Sequence, residues 1–256
     1  MRDWIRANPF LAPFLRWRRV FLAARRLQSF GIPILPFLWH AFRLREDWLF
    51  WRRLVARLEG TRKVSREERL GGWVDFTVGS LIYAVVRTKK PTTVVETGVG
   101  GGLTSFLILK ALEENQLGHL YSVDLPGRDA EIYPEMGRRF DIQVPAQMET
   151  GWIVPDRLRQ RWTLLLGDSL QVLPGILAKV KSVDIFLHDS LHTDEHIRKE
   201  LSMVLPQMRS GGVLLADDVN EGWSLEFPRY CSEKALPNAV VCGRLGVAVN
   251  WSTIKP

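Results

Sequence analysis

Acidic residues follow two apolar, strand-like segments of the sequence, at the point where each segment ends. Asp189 comes after the segment 183–187, and Asp217 and Asp218 follow the segment 212–216. If both segments are parallel strands of one sheet, the three carboxylates converge in one pocket. Such carboxylates repel one another unless a cation or a raised pKa relieves the repulsion. Because carboxylate oxygens suit Mg²⁺ or another divalent cation, the sequence predicts a metal site here.

A glycine-rich turn follows an earlier strand-like segment and opens an apolar helix. Glu96, Gly98, Gly100 and Gly102 form an E-x-G-x-G-x-G pattern. Glycine lets the backbone turn sharply and approach a ligand without interference from a Cβ atom. A nicotinamide or flavin site would require glycine at the sixth position of G-x-G-x-x-G, where this chain has Leu103. A tight turn without a ligand is the alternative interpretation.

Two further strand-like segments also end in acidic residues. Asp124 ends the segment 119–124, and its two carboxylate oxygens can accept both ribose hydroxyls of a nucleoside. A turn or a helix cap is the alternative role for Asp124. Asp168 follows the segment 162–166 and can serve as the N-cap of the next helix. Together with the glycine run, these strand ends predict a site for a cofactor that contains a nucleoside.

Strand and helix signals alternate through most of the chain and predict an α/β fold. Five strand segments are predicted at 92–97, 119–124, 162–166, 183–187 and 212–216. Helices are predicted over 103–115, 169–179 and 193–208, and the segment between the second and third strands gives no clear periodic signal. This alternation predicts a Rossmann-like, doubly wound and mostly parallel sheet. Segments 240–242 and 247–251 predict an antiparallel C-terminal hairpin, which makes seven strands. We expect the less regular segments 126–160 and 220–237 to shape the pocket of a second substrate.

This pattern resembles that of the class I S-adenosylmethionine (SAM)-dependent methyltransferases over about residues 70–250. The E-x-G-x-G-x-G run is similar to their motif I, and the acids after strands four and five resemble those of the divalent-metal-dependent O-methyltransferases. The loop Asp189-Ser190-Leu191-His192 looks closest to that of the bacterial branch typified by macrocin O-methyltransferase-like and cephalosporin hydroxylase-like proteins. The catechol type of enzyme has a lysine where this chain has His192.

The resemblance implies a function and a role for each candidate residue. The expected reaction is metal-assisted O-methylation of a hydroxylated small molecule, sugar or glycolipid, with His192 as the general base, because a neutral imidazole can take a proton from a hydroxyl that a metal has acidified. A non-catalytic SAM-binding or membrane-associated assembly protein and an NAD-dependent oxidoreductase are the alternatives. Three roles remain open for His188: packing at the strand end, direct contact with a metal, and contact with the cofactor. The implied cofactor-binding residues are Glu96, Gly98, Gly100, Gly102, Asp124, Asp168, Ser169 and His188, and the implied ligands of Mg²⁺ or another divalent cation are Asp189, Asp217 and Asp218.

The N-terminal quarter differs in composition from the rest of the chain. Residues 1–70 contain 16 Lys and Arg against 6 Asp and Glu, and five of the ten tryptophans. We divide the chain into a basic, Trp-rich helical extension over 1–66, with helices over 14–28 and 45–59, and a methyltransferase domain over 67–256. The extension suits an anionic membrane surface, but it can equally pack on the domain or form a homo-oligomer interface. Nucleic acid ranks third, because no binding motif is visible.

We expect the protein to lie in the cytoplasm. A peripheral association, if the extension binds lipid, would be with the inner face of the membrane. Two cysteines, Cys231 and Cys242, are too few for a disulfide scaffold, which favours a reducing compartment. The longest uncharged stretch, residues 27–42, is too short to span a bilayer and contains Pro33 and Pro36.

Overall fold

A mixed β-sheet forms the centre of the fold in a computed structural model, which describes residues 11–47, 49–50, 52–54, 76–125 and 148–251. Its strands are β1 (Thr93–Thr97), β2 (His119–Asp124), β3 (Trp162–Leu166), β4 (Val183–His188), β5 (Met208–Ala216), β6 (Asn238–Val241) and β7 (Leu245–Asn250). They lie in the order β3-β2-β1-β4-β5-β7-β6. Strands β1 to β5 are parallel, and β7 runs antiparallel to both β5 and β6. The predicted fold class is confirmed.

Helices cover both faces of the sheet, as expected for strands that are apolar on both sides. They are α1 (Leu11–Gln28), α2 (Ile34–Glu46), α3 (Phe76–Lys89), α4 (Leu103–Asn115), α5 (Asp156–Arg159), α6 (Ser169–Lys179), α7 (Asp194–Val204) and α8 (Glu226–Glu233). Helices α1 to α4 share one core with Ile185 and Leu187 of β4. Helices α6, α7 and α8 share the other core with Phe186, because neighbouring residues of a strand point to opposite faces.

The C-terminal part of the sheet differs from the sequence prediction in its boundaries. The strands predicted at 212–216, 240–242 and 247–251 are observed at Met208–Ala216, Asn238–Val241 and Leu245–Asn250. The helix predicted over 193–208 ends at Val204, and a short 3₁₀ turn over Leu205–Gln207 leads into β5. Pro206 lacks the N–H that an α-helix would need at this position. Met208, predicted to be helical, is therefore the first residue of β5. The predicted acceptor-pocket segment 220–237 also contains a helix, α8, which buries Phe227 and Tyr230.

Two N-terminal helices pack on the body of the fold. Helix α2 was not predicted, since the sequence offered Pro33 and Pro36 as helix breakers. Pro33 is instead the N-cap, and Pro36 lies in the first turn, where backbone N–H groups have no helical partner. The guanidinium of Arg19 donates to the carbonyl oxygen of Cys242 at 2.7 Å, and Lys110 forms an ion pair with Asp47 at 2.8 Å. These contacts attach α1 and the end of α2 to the sheet domain.

Several sequence predictions lie wholly or partly outside the described residues. The proposed boundary at residue 66 is one of them, and the helix predicted over 45–59 is described only in part. The helix predicted over 14–28 corresponds to α1. Among the described residues, no helix is long and apolar enough to cross a bilayer.

Candidate functional site

The loops that follow the parallel strands meet at one edge of the sheet, because backbone hydrogen bonds continue past the strand ends. The amide of Gly98 donates to the carbonyl of Val123 at 2.8 Å, and the amide of Gly167 donates to that of Asp124 at 2.8 Å. On the other side, the amide of Asp189 donates to Thr97 at 2.8 Å, and that of Asp217 to His188 at 2.9 Å. The predicted site residues after β1 to β5 therefore share this edge.

Glycine is required at two positions of the turn after β1. Gly98 has φ +83°, and a Cβ atom there would overlap the carbonyl oxygen of Asp189. Gly102 has φ +87° and precedes α4, and its Cβ would lie 2.7 Å from the Cα of Gly151. Gly100 has φ +50°, and no atom of the described residues would lie within 4 Å of a Cβ at this position. The turn therefore packs tightly at Gly98 against the loop that follows β4, whereas the described residues leave free space next to Gly100.

Asp124 binds the same turn through its carboxylate. Its Oδ2 accepts from the amide of Gly100 at 2.7 Å, and its Oδ1 accepts from the amide of Leu125 at 2.9 Å. Burial raises the pKa of Asp124, and these amides oppose the shift. Each carboxylate oxygen has a second lone pair, so the group can also accept from ligand hydroxyls.

Glu96 lies beneath the turn and is fully buried. Its Oε2 accepts from the hydroxyls of Ser105 at 2.6 Å and Ser122 at 2.7 Å. Among the described residues, its Oε1 has no hydrogen-bond partner. Burial raises the pKa of Glu96 to about 7. The side chain thus connects β1 to α4 and β2, and it leaves one acceptor atom unused.

The residues after β3 serve the protein's own structure in two different ways. Asp168 is the N-cap of α6, since its Oδ1 accepts from the amide of Leu170 at 2.8 Å. The capping alternative is therefore realised. The Ser169 hydroxyl donates to Glu200, so this side chain turns toward the β4 end of the site.

Glu200 of α7, which the sequence analysis missed, is the centre of a buried polar network. Its carboxylate is fully buried, and it accepts from several side chains around it. Burial opposes ionisation, but the neighbouring imidazoles hold the pKa of Glu200 below its usual range. The one sequence signal was the spacing of four between His196 and Glu200, which puts both on one face of a helix. The partners are Thr97, Ser169, His188, Ser190 and His196.

Two imidazoles lie side by side at the end of β4. The Nδ1 of His188 is 2.7 Å from Glu200, and the rings of His188 and His192 are 5.3 Å apart. The His192 ring also lies 5.4 Å from that of Trp223. Neither Nε2 atom has a hydrogen-bond partner among the described residues. Burial, followed by the charge of His188, lowers the pKa of His192 to about 3, so this imidazole is neutral at pH 7.

The three acids predicted to bind a metal are instead neutralised in part by Arg244. Its Nε and Nη2 donate to the two oxygens of Asp217 at 3.0 and 2.7 Å, and Nη2 lies 2.8 Å from Asp218. Burial and Asp217 raise the pKa of Asp218 to about 6. Burial, Asp217 and Asp218 raise the pKa of Asp189 well above its usual range.

The predicted metal ligands do not fit a divalent cation as their side chains lie. Both oxygens of Asp217 are engaged by a guanidinium, and the described residues contain no group of three His, Cys, Asp or Glu positioned to hold a metal ion. The sequence analysis considered a metal or a raised pKa as the relief for the repulsion, and it overlooked an arginine. Arg244 lies in the turn between β6 and β7, and nothing in its sequence context indicates which strand end that turn approaches.

Comparisons with known proteins agree with this geometry. Residues 95–219, from β1 to the residue after Asp218, match the sequence family described as "Methyltransferase domain". No curated protein sequence matches the chain.

Three solved structures illustrate the likeness in fold. The O-methyltransferase TomG from Streptomyces achromogenes, solved with SAM, is 16% identical with a TM-score of 0.54, over 77% of this chain and 88% of that one. A methyltransferase from Geobacter sulfurreducens is 20% identical with a TM-score of 0.53, over 77% and 87%. The O-methyltransferase from Bacillus cereus, solved with SAH, is 16% identical with a TM-score of 0.51, over 78% and 91%.

Proposed function

We propose that this chain, whose residues 95–219 form a class I SAM-dependent methyltransferase domain, methylates a hydroxyl group of a small molecule, sugar or glycolipid. One observation carries the proposal. Gly98 of the glycine turn is packed against Asp189 so closely that no side chain fits between them. A cofactor on the glycine turn is therefore next to the loop that carries His192, and proximity of this kind is the main source of rate in a transfer between two bound groups.

The strand ends β1 to β3 offer a cofactor site for SAM. The open backbone at Gly100 provides room, and Asp124, already fixed by two amides, would accept the ribose hydroxyls. Asp168 would accept the adenine amine while its Oδ1 caps α6. The unused Oε1 of Glu96 supports a polar ligand above it. When bound, SAM supplies a methyl group on a positively charged sulfur that a nucleophilic oxygen can attack.

His192 would accept the proton of the substrate hydroxyl. Its Nε2 makes no hydrogen bond among the described residues and lies 3.8 Å from Oδ1 of Asp189. A neutral imidazole can take a proton, and Asp189 in its ionised form would stabilise the imidazolium that results. The Trp223 ring lies beside it at an interplanar angle of 49° and would exclude water. We derive no step through a divalent cation, because Arg244 already engages Asp217.

Titration calorimetry with SAM and with NAD tests the cofactor assignment. We expect SAM to bind, NAD not to bind, and Asp124→Ala to weaken SAM by about tenfold or more, as for loss of hydrogen bonds to a polar ligand. The Asp156→Ala variant, which alters an exposed acid of α5, is the matched control. Binding of NAD in place of SAM would establish the oxidoreductase alternative.

Transfer of labelled methyl from SAM to hydroxylated acceptors tests the chemistry. The acceptors are catechol, free hexoses and a glycolipid fraction. For any acceptor that is methylated, His192→Ala should lower kcat by about 10²- to 10⁴-fold with little change in SAM affinity. Unimpaired turnover would remove His192 as the base. Binding of SAM without transfer to any acceptor favours the non-catalytic alternative.

An anionic membrane surface is the partner that the exposed face of α1 and α2 favours. Leu35, Trp39 and Phe42 are 79%, 57% and 44% exposed and lie three or four residues apart on α2. Rings with a basic neighbour suit the headgroup level of a bilayer, and the guanidinium of Arg43 lies 5.8 Å from the Trp39 ring. The surplus of basic residues over 1–70 complements anionic lipid.

Vesicle flotation tests this surface. We expect the full chain to float with vesicles that contain phosphatidylglycerol but not with pure phosphatidylcholine, and the binding to weaken with salt. The double variant Trp39→Ala/Phe42→Ala should lose about tenfold in binding, since it removes two exposed rings that would be buried in the bilayer. Leu117→Ala, at an exposed apolar position just beyond the C-terminal end of α4, is the control. Equal flotation of all three proteins would overturn the proposal.

A further inference from the structure

Arg244 is held at the strand edge by both its backbone and its side chain. The carbonyl oxygen of Arg244 accepts from the amide of Val219 at 2.7 Å, directly after the two acids of β5. Its guanidinium forms a two-pronged pair with Asp217, whose carboxylate is 2% exposed. A planar guanidinium matches a carboxylate in this geometry, which adds direction as well as charge. The turn between β6 and β7 therefore positions the guanidinium of Arg244 next to the carboxylate of Asp217.

Asp218 adopts a backbone conformation that brings it to the same cation. Its φ of +54° is unusual for a residue with a side chain, although aspartate tolerates it better than most. Its Oδ1 lies 2.8 Å from Nη2 of Arg244. One nitrogen thus contacts both acids, and the cost of the unusual backbone is offset by this contact.

A divalent cation and Arg244 compete for the same oxygens. Mg²⁺ requires near-octahedral oxygen ligands at about 2.1 Å, and it would have to replace both prongs on a carboxylate that is almost inaccessible to solvent. Removing one partner of a buried charge pair is strongly unfavourable unless another charge replaces it. A fixed guanidinium makes the metal unnecessary for neutralising this acid.

We propose that Arg244 takes the place of the divalent cation at the ends of β4 and β5, so that the chain balances Asp217 and Asp218 with its own guanidinium and binds no metal there. Once Arg244 is shortened, Asp189, Asp217 and Asp218 are left as three carboxylates without a cation, and this is the ligand set that a divalent cation prefers. The Arg244→Ala variant should therefore gain a metal site that the native chain lacks.

Binding of Mn²⁺, followed by its electron paramagnetic resonance signal, tests this inference without reference to methyl transfer. We expect the native chain to leave Mn²⁺ free at millimolar concentration, and Arg244→Ala to bind it at least about tenfold more tightly. Mn²⁺ should also raise the Tm of Arg244→Ala but not of the native chain. Arg209→Ala is the matched control, since it removes an arginine from an ion pair with Asp184 at the opposite end of β5 and should gain no site.

Two results would overturn the inference. One is a native chain that binds Mn²⁺ and loses this binding in Asp217→Asn. The other is a folded Arg244→Ala variant that binds Mn²⁺ no better than the native chain. If Arg244→Ala does not fold, the native chain and Asp217→Asn alone decide the matter. Because the readout is metal binding, a failure here is distinguishable from a failure of the proposed methyl transfer.

Discussion

The ends of β1 to β3, which we call the cofactor half, hold Asp124 and Asp168 with backbone amides. The ends of β4 and β5, the acceptor half, hold their paired carboxylates with ionisable side chains. Asp124 accepts from Gly100 and Leu125, and Asp168 accepts from Leu170, all through backbone N–H groups. In the acceptor half, Asp217 is paired with Arg244, and Glu200 with two imidazoles. The two halves thus stabilise negative charge by different means.

This difference decides what each half can do. Amide dipoles are fixed by the fold and do not titrate, so a carboxylate that they hold keeps lone pairs for a neutral ligand such as a sugar hydroxyl. A carboxylate held by imidazoles depends on pH and on neighbouring charges, which suits a site that moves a proton. We therefore propose the cofactor half as a binding surface and the acceptor half as the place of proton transfer.

The largest expected effect is a loss of stability when Glu200 of the acceptor half is replaced. Glu200→Gln keeps the shape but removes the charge that holds His188 and His196, and loss of one partner from a buried charge cluster costs about 3–5 kcal/mol. Because the folded-state pKa of Glu200 is lowered, its contribution is present above the ordinary value of 4.5 and is lost as the pH falls below it. Urea unfolding at pH 7 measures the first effect, and a series that descends from pH 5 to about pH 2 measures the second.

The control for that experiment is Glu233→Gln, which removes an exposed carboxylate from α8 and should leave the stability nearly unchanged, because surface ion pairs contribute little. A Glu200→Gln protein that loses no more stability than the control would show that the network is not what holds this half together.

The second effect tests where the two halves touch. Gly98→Ala forces a Cβ against the carbonyl of Asp189 and a side chain into a positive φ, and together these should cost about 3–4 kcal/mol. Gly100→Ala shares the positive φ but meets no atom, so about 1 kcal/mol is expected. Denaturant unfolding compares the two variants. Equal losses of stability would mean that only the strain of the positive φ matters and that Gly98 does not pack tightly against the loop after β4.

Much of the cofactor half could be predicted from the sequence, because glycine spacing reports backbone geometry locally. The bounds expected for β2, β3, α4 and α6 agree with the structure. The acceptor half was predicted less well. Which cation neutralises Asp217 depends on where the turn between β6 and β7, which carries Arg244, lies in space. No local sequence pattern predicts that position. For the same reason Glu200 was missed, although its strand-end partners were visible.

The third effect concerns Glu96, a carboxylate of the cofactor half that has no cation beside it in the part of the chain that the structure describes. Its folded-state pKa is raised from 4.5 to about 7, so its ionisation destabilises the fold increasingly as the pH rises through that interval. Relative to Glu96→Gln, the native chain should lose about 3 kcal/mol between pH 4.5 and pH 8. Thermal unfolding of both proteins across this range measures it. A constant difference would mean that a cation lies near Glu96 after all.

The smallest effect separates the two duties assigned to Asp168. Asp168→Ala removes the cap of α6 and should cost about 1 kcal/mol, whereas Asp168→Ser keeps a capping oxygen and should cost little. The serine side chain is too short to reach a ligand beside the cap. If Asp168 also accepts the adenine amine, both variants lose SAM affinity although only one loses stability. If affinity follows stability instead, Asp168 acts only through the helix, and the cofactor is held by the glycine turn and Asp124 alone.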